Sequence, residues 1–385
     1  MAGGVKAFEL SNAVEYAMRN SAVDQFSTSG TLYVSAPEAA LVVRKVGLEF
    51  SLRRIAANIH EDFSRWADFD KSVRVANHSA FGVIELMPVS DNHRYAFKYV
   101  NGHPQNTDLG LSTVMAFGVY ADVDTGSPLL LSELTITTAL RTAAMSALAA
   151  QSLARQDSRT MALIGNGAQS EFQALAFKYL IGIDTLRLYD VDRDATAKLV
   201  ANLQPFGFNI VVCESAGDAA RSADIITTVT ADKTRAIILT PEMIAPGVHI
   251  NAVGGDCPGK TELHADILKQ SSVFVEYAPQ SRIEGEIQQM PADFSVTELW
   301  QVFTEQAAAR TSATEVTVFD SVGFALEDFS ALRFMYDTAQ AHGFGQRIAL
   351  IPSLEDPKNL FSTVAPSQSD NGSSEVEFTR QRSYA

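Results

Sequence analysis

Apolar and polar residues follow two successive rhythms along the chain. Over residues 37–69 the apolar positions recur at helical spacing. Three β-rich runs follow, Gly82–Val89, Tyr95–Val100 and Thr113–Tyr120, separated by polar turns such as Ser90-Asp-Asn-His and Asp124-Thr-Gly. Residues 31–131 are therefore expected to form a helix followed by an antiparallel or mixed sheet. From about residue 132 the rhythm changes. Glu133–Arg155 is rich in Ala, Leu and Thr at helical spacing and long enough to bridge two domains. Beyond it, apolar runs at 160–165, 185–190, 208–213, 224–229, 248–253, 272–276 and 315–319 alternate with helical patterns. That alternation predicts βαβ units and a parallel sheet, hence an α/β fold. A last helix, about 324–342, follows the final strand and can return to the first domain.

The ends lack this order. Residues 1–30 carry a short helical pattern (Phe8, Leu10, Val14, Met18) and then Ser27-Thr-Ser-Gly30, while 365–385 are too polar to build a core. With 385 residues, 46% apolar and only 19% charged, the rest can bury a large core. Thirty Lys and Arg against 45 Asp and Glu give a net charge of −15. That balance argues against a nucleic-acid partner or a polybasic membrane anchor. Two cysteines, Cys213 and Cys257, cannot make a disulfide framework and suit a reducing, cytoplasmic setting. No apolar run is long enough to span a membrane, the N-terminus lacks a secretory layout, and the seven His have no metal-ligand spacing.

The strongest local motif is Thr160-Met-Ala-Leu-Ile-Gly165-Asn166-Gly167-Ala168-Gln169-Ser170. A strand runs through Gly-x-Gly into a helix. Gly165 permits the tight turn, and Gly167 lets the backbone approach a pyrophosphate at the helix N-terminus. Ser170 replaces the usual third glycine. The next strand ends in Asp190, about 20 residues further on, where a carboxylate can bind an adenosine ribose and repel a 2′-phosphate. Asp190 thus favours NAD over NADP, although Arg193 is near, and the alternative is that Asp190 caps the following helix. The strand 224–229 leads into Thr230, a plausible cofactor wall.

Charges also stand in apolar company. Lys98 alternates with Ala96 and Val100, Glu85 shares a strand face with Val83, Met87 and Val89, and Arg141 keeps helical spacing with Leu134, Met145 and Leu148. Arg74 precedes the first of these strands. Buried charges are costly unless paired or met by a charged ligand. Several cations beside one acid suit a zwitterion, the cations holding a carboxylate and the acid an ammonium. The alternative is that each reaches solvent or pairs with a neighbour. Finally, His249-Ile-Asn-Ala-Val-Gly-Gly-Asp256-Cys-Pro-Gly-Lys260 breaks a strand into Gly-Gly and presents Asp256 at its carboxyl end, where open α/β sheets bind ligands. Asp256 is a candidate acid/base, or simply an Asp in a Gly/Pro turn. Lys260 is a candidate on the cofactor side. Cys257 lacks an implied His partner and reads as inert.

These segments, with Glu85-Leu-Met-Pro, Lys98-Tyr-Val-Asn-Gly-His-Pro, Ala139-Leu-Arg-Thr-Ala-Ala and Val318-Phe-Asp-Ser-Val-Gly-Phe-Ala-Leu-Glu-Asp328, resemble the ornithine cyclodeaminase/μ-crystallin family. The likeness is collinear over about 31–362 and nearest to the bacterial ornithine cyclodeaminases. It implies a homodimer with a substrate-binding and dimerisation domain (31–145, with 323–362 returning) and a Rossmann NAD-binding domain (146–322). Residues 1–30 are expected to form an extension and 363–385 a flexible tail. It implies that Arg74, Lys98 and Arg141 surround the substrate carboxylate, that Glu85 lies near the amino groups, and that Asp256 is the acid/base. Thr113 lies near the cofactor on the same ground.

The reaction so implied is cyclodeamination of L-ornithine or a similar basic amino acid. NAD takes hydride from Cα, the δ-amine closes on the resulting iminium, ammonia leaves, and hydride returns to give L-proline. Asp256 is expected to relay protons from a partly buried position. Lysine cyclodeamination, a net ketimine reductase or amino-acid dehydrogenase, and a non-catalytic crystallin-like binding protein are the alternatives.

Overall fold

The computed structural model describes residues 30–231 and 235–365. The helical pattern expected around Phe8–Met18 and the tail from residue 366 lie outside them. The chain divides into two compact units. One contains Gly30 and the segment from Ile348, whose described residues include a 3₁₀ turn, Leu360–Thr363. The other, Thr31–Arg347, carries both principal sheets.

The helix expected over 37–69 is in fact two, α1 (Ala36–Val46) and α2 (Leu48–Ser64). Gly47 separates them at φ +92°, a left-handed conformation that a continuing helix does not allow. The first sheet includes β1 (Thr31–Val34), β2 (Asp70–Lys71), β3 (Val75–His78), β4 (Val83–Ser90), β5 (Arg94–Gly102), β6 (Val114–Asp122) and β7 (Pro128–Glu133). Its path is β1-β7-β6-β5-β4-β2, with β3 also on β4. Only the β1–β7 pair among these is parallel. Alternation along β4 and β5 buries Val83, Glu85, Met87 and Val89, and Ala96, Lys98 and Val100. Period-2 alternation thus puts both charges on the buried face, as observed.

Glu133 ends β7 and opens α3 (Thr135–Leu153), accepting from Ile136 N at 3.0 Å and Thr137 Oγ1 at 3.0 Å. That helix is buried almost all round, including Arg141. The second sheet follows, through β8 (Thr160–Ile164), α4 (Ser170–Ile181), β9 (Thr185–Tyr189), α5 (Arg193–Leu203), β10 (Asn209–Val212) and β11 (Ile225–Thr228). Next come β12 (Arg235–Leu239), β13 (His249–Ala252), β14 (Thr261–Leu263), β15 (Ser272–Val275), α6 (Ala278–Glu284), β16 (Thr297–Glu298) and β17 (Thr317–Asp320). The order β10-β9-β8-β11-β13-β17-β15-β16 is parallel throughout. Strands β12 and β14 pair separately. The strand order reverses between β8 and β11, so the loops after these two strands flank one crevice, the usual ligand position in such sheets.

After β17 the chain turns through Ser321-Val-Gly into α7 (Ala325–His342). Phe329 of α7 packs edge-on against Phe69 and Tyr120, with centroids 5.2 and 5.4 Å apart. The helix therefore lies on the buried face of the first sheet. Among the described residues, no helix is long and apolar enough to cross a membrane.

Candidate active site

The loop after β8 has the shape its glycines require. Gly165 has φ +94°, and a Cβ there would sit 2.7 Å from Val229 O. Gly167 is exposed, and a Cβ added to it would meet nothing within 4 Å. Ser170 fills the third glycine's place from inside, its hydroxyl donating to Gly165 O at 3.0 Å. Asn166 is buried and held by Leu163 O and Thr196, while Ala168 is exposed and Gln169 half-buried at the head of α4. Asp190 Oδ2 accepts from Asn166 N at 2.5 Å, and Oδ1 from Asp192 N at 2.9 Å. The helix cap is Asp192, which accepts from Asp194 N and Ala195 N. The capping alternative for Asp190 therefore falls away. An open glycine at a helix start, with an acid on the neighbouring strand end, fits a dinucleotide.

Beside this loop, Thr230 N and Oγ1 both donate to Glu262 Oε1, the first at 2.9 Å. Lys260 Nζ reaches Thr230 O at 2.9 Å and Asp256 Oδ1 at 3.3 Å. Lys260 thus ties the cofactor-side strand end to the candidate acid/base. Asp256 stands more open than the partly buried position expected of it: its side chain is 55% exposed. It stands on the turn beyond Gly254-Gly255, past the end of β13. Thr113 stands immediately before β6, its carbonyl accepting from His103 N. Among the described residues no hydrogen bond joins it to the other candidates.

The three cations come together, but not in apolar surroundings. Arg74 Nη1 donates to Glu85 Oε2 at 3.0 Å, and Nη2 to Val322 O and Gly323 O at 2.7 and 2.6 Å. Arg74 Nε also lies 3.0 Å from Glu284 Oε2. Lys98 Nζ donates to Asp328 Oδ1 at 2.8 Å, and Arg141 Nε reaches the same oxygen at 2.9 Å. Arg141 Nη1 takes Glu327 Oε2 at 2.8 Å. The expectation of apolar neighbours is corrected here: charges so deeply buried need opposite charges, and the chain supplies them from α6 and α7. Gly323 joins the two halves. It has φ +74°, and a Cβ would lie 2.7 Å from Arg141 Nη1.

A model of the ornithine cyclodeaminase/mu-crystallin family matches residues 37–343, across both sheets. The chain belongs to that family. It is 60% identical over 332 residues to the ornithine cyclodeaminase of Brucella melitensis biotype 1, covering 86% of this chain and 92% of that one. Among solved structures, a lysine cyclodeaminase described for its recognition of L-lysine, L-ornithine and L-2,4-diaminobutyric acid superposes with a TM-score of 0.82. The two are 30% identical, with 86% of this chain and 99% of that one covered. An archaeal alanine dehydrogenase dimer with bound NAD superposes with a TM-score of 0.77 at 30% identity, covering 83% and 99%.

This member of the cyclodeaminase/mu-crystallin family concentrates buried acids around the site. Glu262, Glu276, Glu284, Glu286, Asp320, Glu327 and Asp328 are all buried. Burial pushes the Glu284 carboxyl up to about 7, against the pull of Arg74. Burial likewise raises Glu276 and Glu327, although Arg141 opposes it at Glu327. Burial, with Arg141 beside it, lowers the Lys98 ammonium to about 8, and Asp328 resists that fall. At Arg74 burial works against the charge, yet Glu85, Glu284 and Asp256 outweigh it and hold the group above its ordinary value. Sequence reasoning assigns no role to Glu284, Glu327 or Asp328. Glu327 and Asp328 fall inside the quoted motif, whereas Glu284 has no sequence signal beyond its place shortly after a strand.

Proposed function

We propose that this protein is an NAD-dependent ornithine cyclodeaminase, forming L-proline and ammonia from L-ornithine with no net redox change. The observation that carries the reading is a single connected site. The phosphate-type loop at Gly165 abuts Thr230, Lys260 links Thr230 to Asp256, and Asp256 lies within electrostatic reach of the Arg74–Glu85 pair. Its 60% identity to an ornithine cyclodeaminase supports the same substrate.

In this reading Gly165, Asn166, Gly167, Ala168 and Gln169 hold the pyrophosphate, Asp190 the adenosine ribose, and Thr113, Thr230 and Lys260 border the cofactor. NAD, when bound, accepts reducing equivalents from the substrate's α-carbon and later returns them. Arg74, Lys98 and Arg141 hold the carboxylate. Asp328 engages one of Lys98's three donors, and Arg141 spends Nε and Nη1 on acids, so donors remain for a ligand. Fixing the carboxylate aims the α-C–H at the cofactor and restricts rotation, the ordinary source of an orientation advantage. Glu85 faces the amino groups. Asp256, at the solvent-exposed rim, relays protons to and from the amines, which its exposure makes easy to exchange with water.

The division of labour follows the two sheets: 31–145 with 323–362 binds substrate, and 146–322 binds cofactor. The exposed apolar face of the first sheet supports a homodimer. Ile84, Leu86, Tyr95, Met115 and Phe117 are exposed there, with Phe117 stacked on Tyr99 at 5.0 Å. A patch of that kind marks an interface, and the archaeal alanine dehydrogenase is a dimer. The cysteine content suits the cytoplasm. L-lysine is the second candidate substrate, because the lysine cyclodeaminase neighbour is described for its recognition of both L-lysine and L-ornithine and one methylene is worth only about 1–3 kcal/mol of discrimination. Parallel assays of proline from L-ornithine and pipecolate from L-lysine, each with NAD⁺, test the choice. A higher kcat/KM on ornithine is expected, and a preference for lysine would overturn it.

A further inference from the structure

Glu284 ends α6 and is buried beside Arg74. Its Oε2 lies 3.0 Å from Arg74 Nε, but off the N–H axis, so neither atom has a hydrogen-bond partner among the described residues. Glu85, on β4, also has one buried oxygen, Oε1, without a hydrogen-bond partner among the described residues. One guanidinium is therefore flanked by two carboxylates from different elements, each with an unsatisfied acceptor. Buried acceptors of this kind are costly unless a donor reaches them, and a charged donor serves best. An ammonium carries three donors and no acceptor, which matches two converging carboxylate oxygens.

We propose that Glu284 is a specificity-determining residue, which with Glu85 accepts the second ammonium of a diamino acid beside Arg74. This rests on the cyclodeaminase reading and deepens it: two acids converging on the second amine separate ornithine from a neutral amino acid of the same length. The groups facing Glu284 are Arg74 from the segment before β3, Glu85 from β4 and Asp256 from the loop after β13. Burial, opposed by Arg74 and reinforced by Glu85 and Asp256, brings Glu284 to about 7. The carboxylate is charged above that pH and neutral below it, so selectivity for the diamino acid falls as the pH drops from 8 to 6.

The test is calorimetric binding of L-ornithine and of L-norvaline, which has the same carbon chain without the δ-amine. The protein is loaded with NADH so that neither ligand is consumed. Glu284→Gln is expected to weaken ornithine about tenfold to a hundredfold and norvaline less than about twofold. Equal weakening of both ligands would reduce Glu284 to a structural prop for Arg74 and overturn the proposal, as would no weakening of either. The wild-type protein gives an independent readout, because the ornithine-to-norvaline affinity ratio should fall from pH 8 to pH 6. A constant ratio contradicts the proposal even if the variant does not fold. Failure of the wild type to make proline from ornithine would instead reject the cyclodeaminase reading, while the binding ratio still decides the role of Glu284.

Discussion

Lys98 donates to Asp328 Oδ1 at 2.8 Å, across 230 residues of sequence and with both side chains almost wholly shielded from solvent. Arg141 uses the same oxygen. Asp328→Asn therefore leaves two buried cations short of a counter-charge. The expected cost is about 3–5 kcal/mol of folding stability, the range for removing one partner of a buried pair. Urea denaturation of the variant and the wild type measures it. A cost below about 1 kcal/mol would mean that the cluster is far better solvated than its burial implies.

The same lysine fixes an alkaline limit. Lys98 sits at about 8 because burial opposes its charge. Below that pH it is an ammonium able to hold a carboxylate, and above it a neutral amine. Since kcat/KM reports groups of the free enzyme, it should fall as the pH rises through 8, by roughly tenfold for each further unit. A profile flat to pH 10 would remove Lys98 from carboxylate binding.

Much of this is legible in the chain, and the limits have a physical cause. The apolar run 160–165 matches β8, Thr160–Ile164, to within a residue, because a buried parallel strand is a continuous apolar run. The buried sides of β4 and β5 follow from alternation, which exposes the misfit of Glu85 and Lys98. What periodicity does not carry is who pairs with whom. Asp328 and Glu327 look like ordinary first-turn acids of a helix, and only the return of α7 onto the first sheet brings them to Lys98 and Arg141. For the same reason part of the acid surplus, which by count alone reads as surface charge that excludes nucleic acid, lies inside the protein. The exposure of Asp256 is not legible, because a Gly-Gly turn says nothing about what covers it. Gly47 is a visible helix breaker hidden in an otherwise unbroken apolar rhythm.

The two glycines of the phosphate loop should respond differently. Gly165→Ala puts a Cβ 2.7 Å from Val229 O at a positive φ, and should cost about 1–3 kcal/mol of stability as well as NAD affinity. Gly167→Ala meets nothing within 4 Å and should leave stability unchanged while weakening NAD, because the added methyl occupies the approach to the pyrophosphate. Thermal unfolding with and without NAD⁺ separates the two effects. Unchanged NAD affinity in Gly167→Ala would move the pyrophosphate elsewhere.

Asp256→Asn removes a charge from an exposed side chain that Lys260 holds at 3.3 Å. Folding and NAD binding should be preserved, with turnover reduced by at least about 10²–10⁴-fold for loss of the acid/base. A fully active variant would take the proton relay away from this residue.

Cyclodeamination differs from every net oxidoreductase of the same fold in ending at the redox level at which it began. The decisive experiment supplies excess L-ornithine with NAD⁺ at a small fraction of its concentration, and follows proline, ammonia and NADH together. One proline and one ammonia should form per ornithine over many turnovers per NAD⁺, with no steady rise in NADH. Accumulation of NADH in step with substrate loss, stopping when NAD⁺ runs out, would refute cyclodeamination and make the protein a net oxidoreductase.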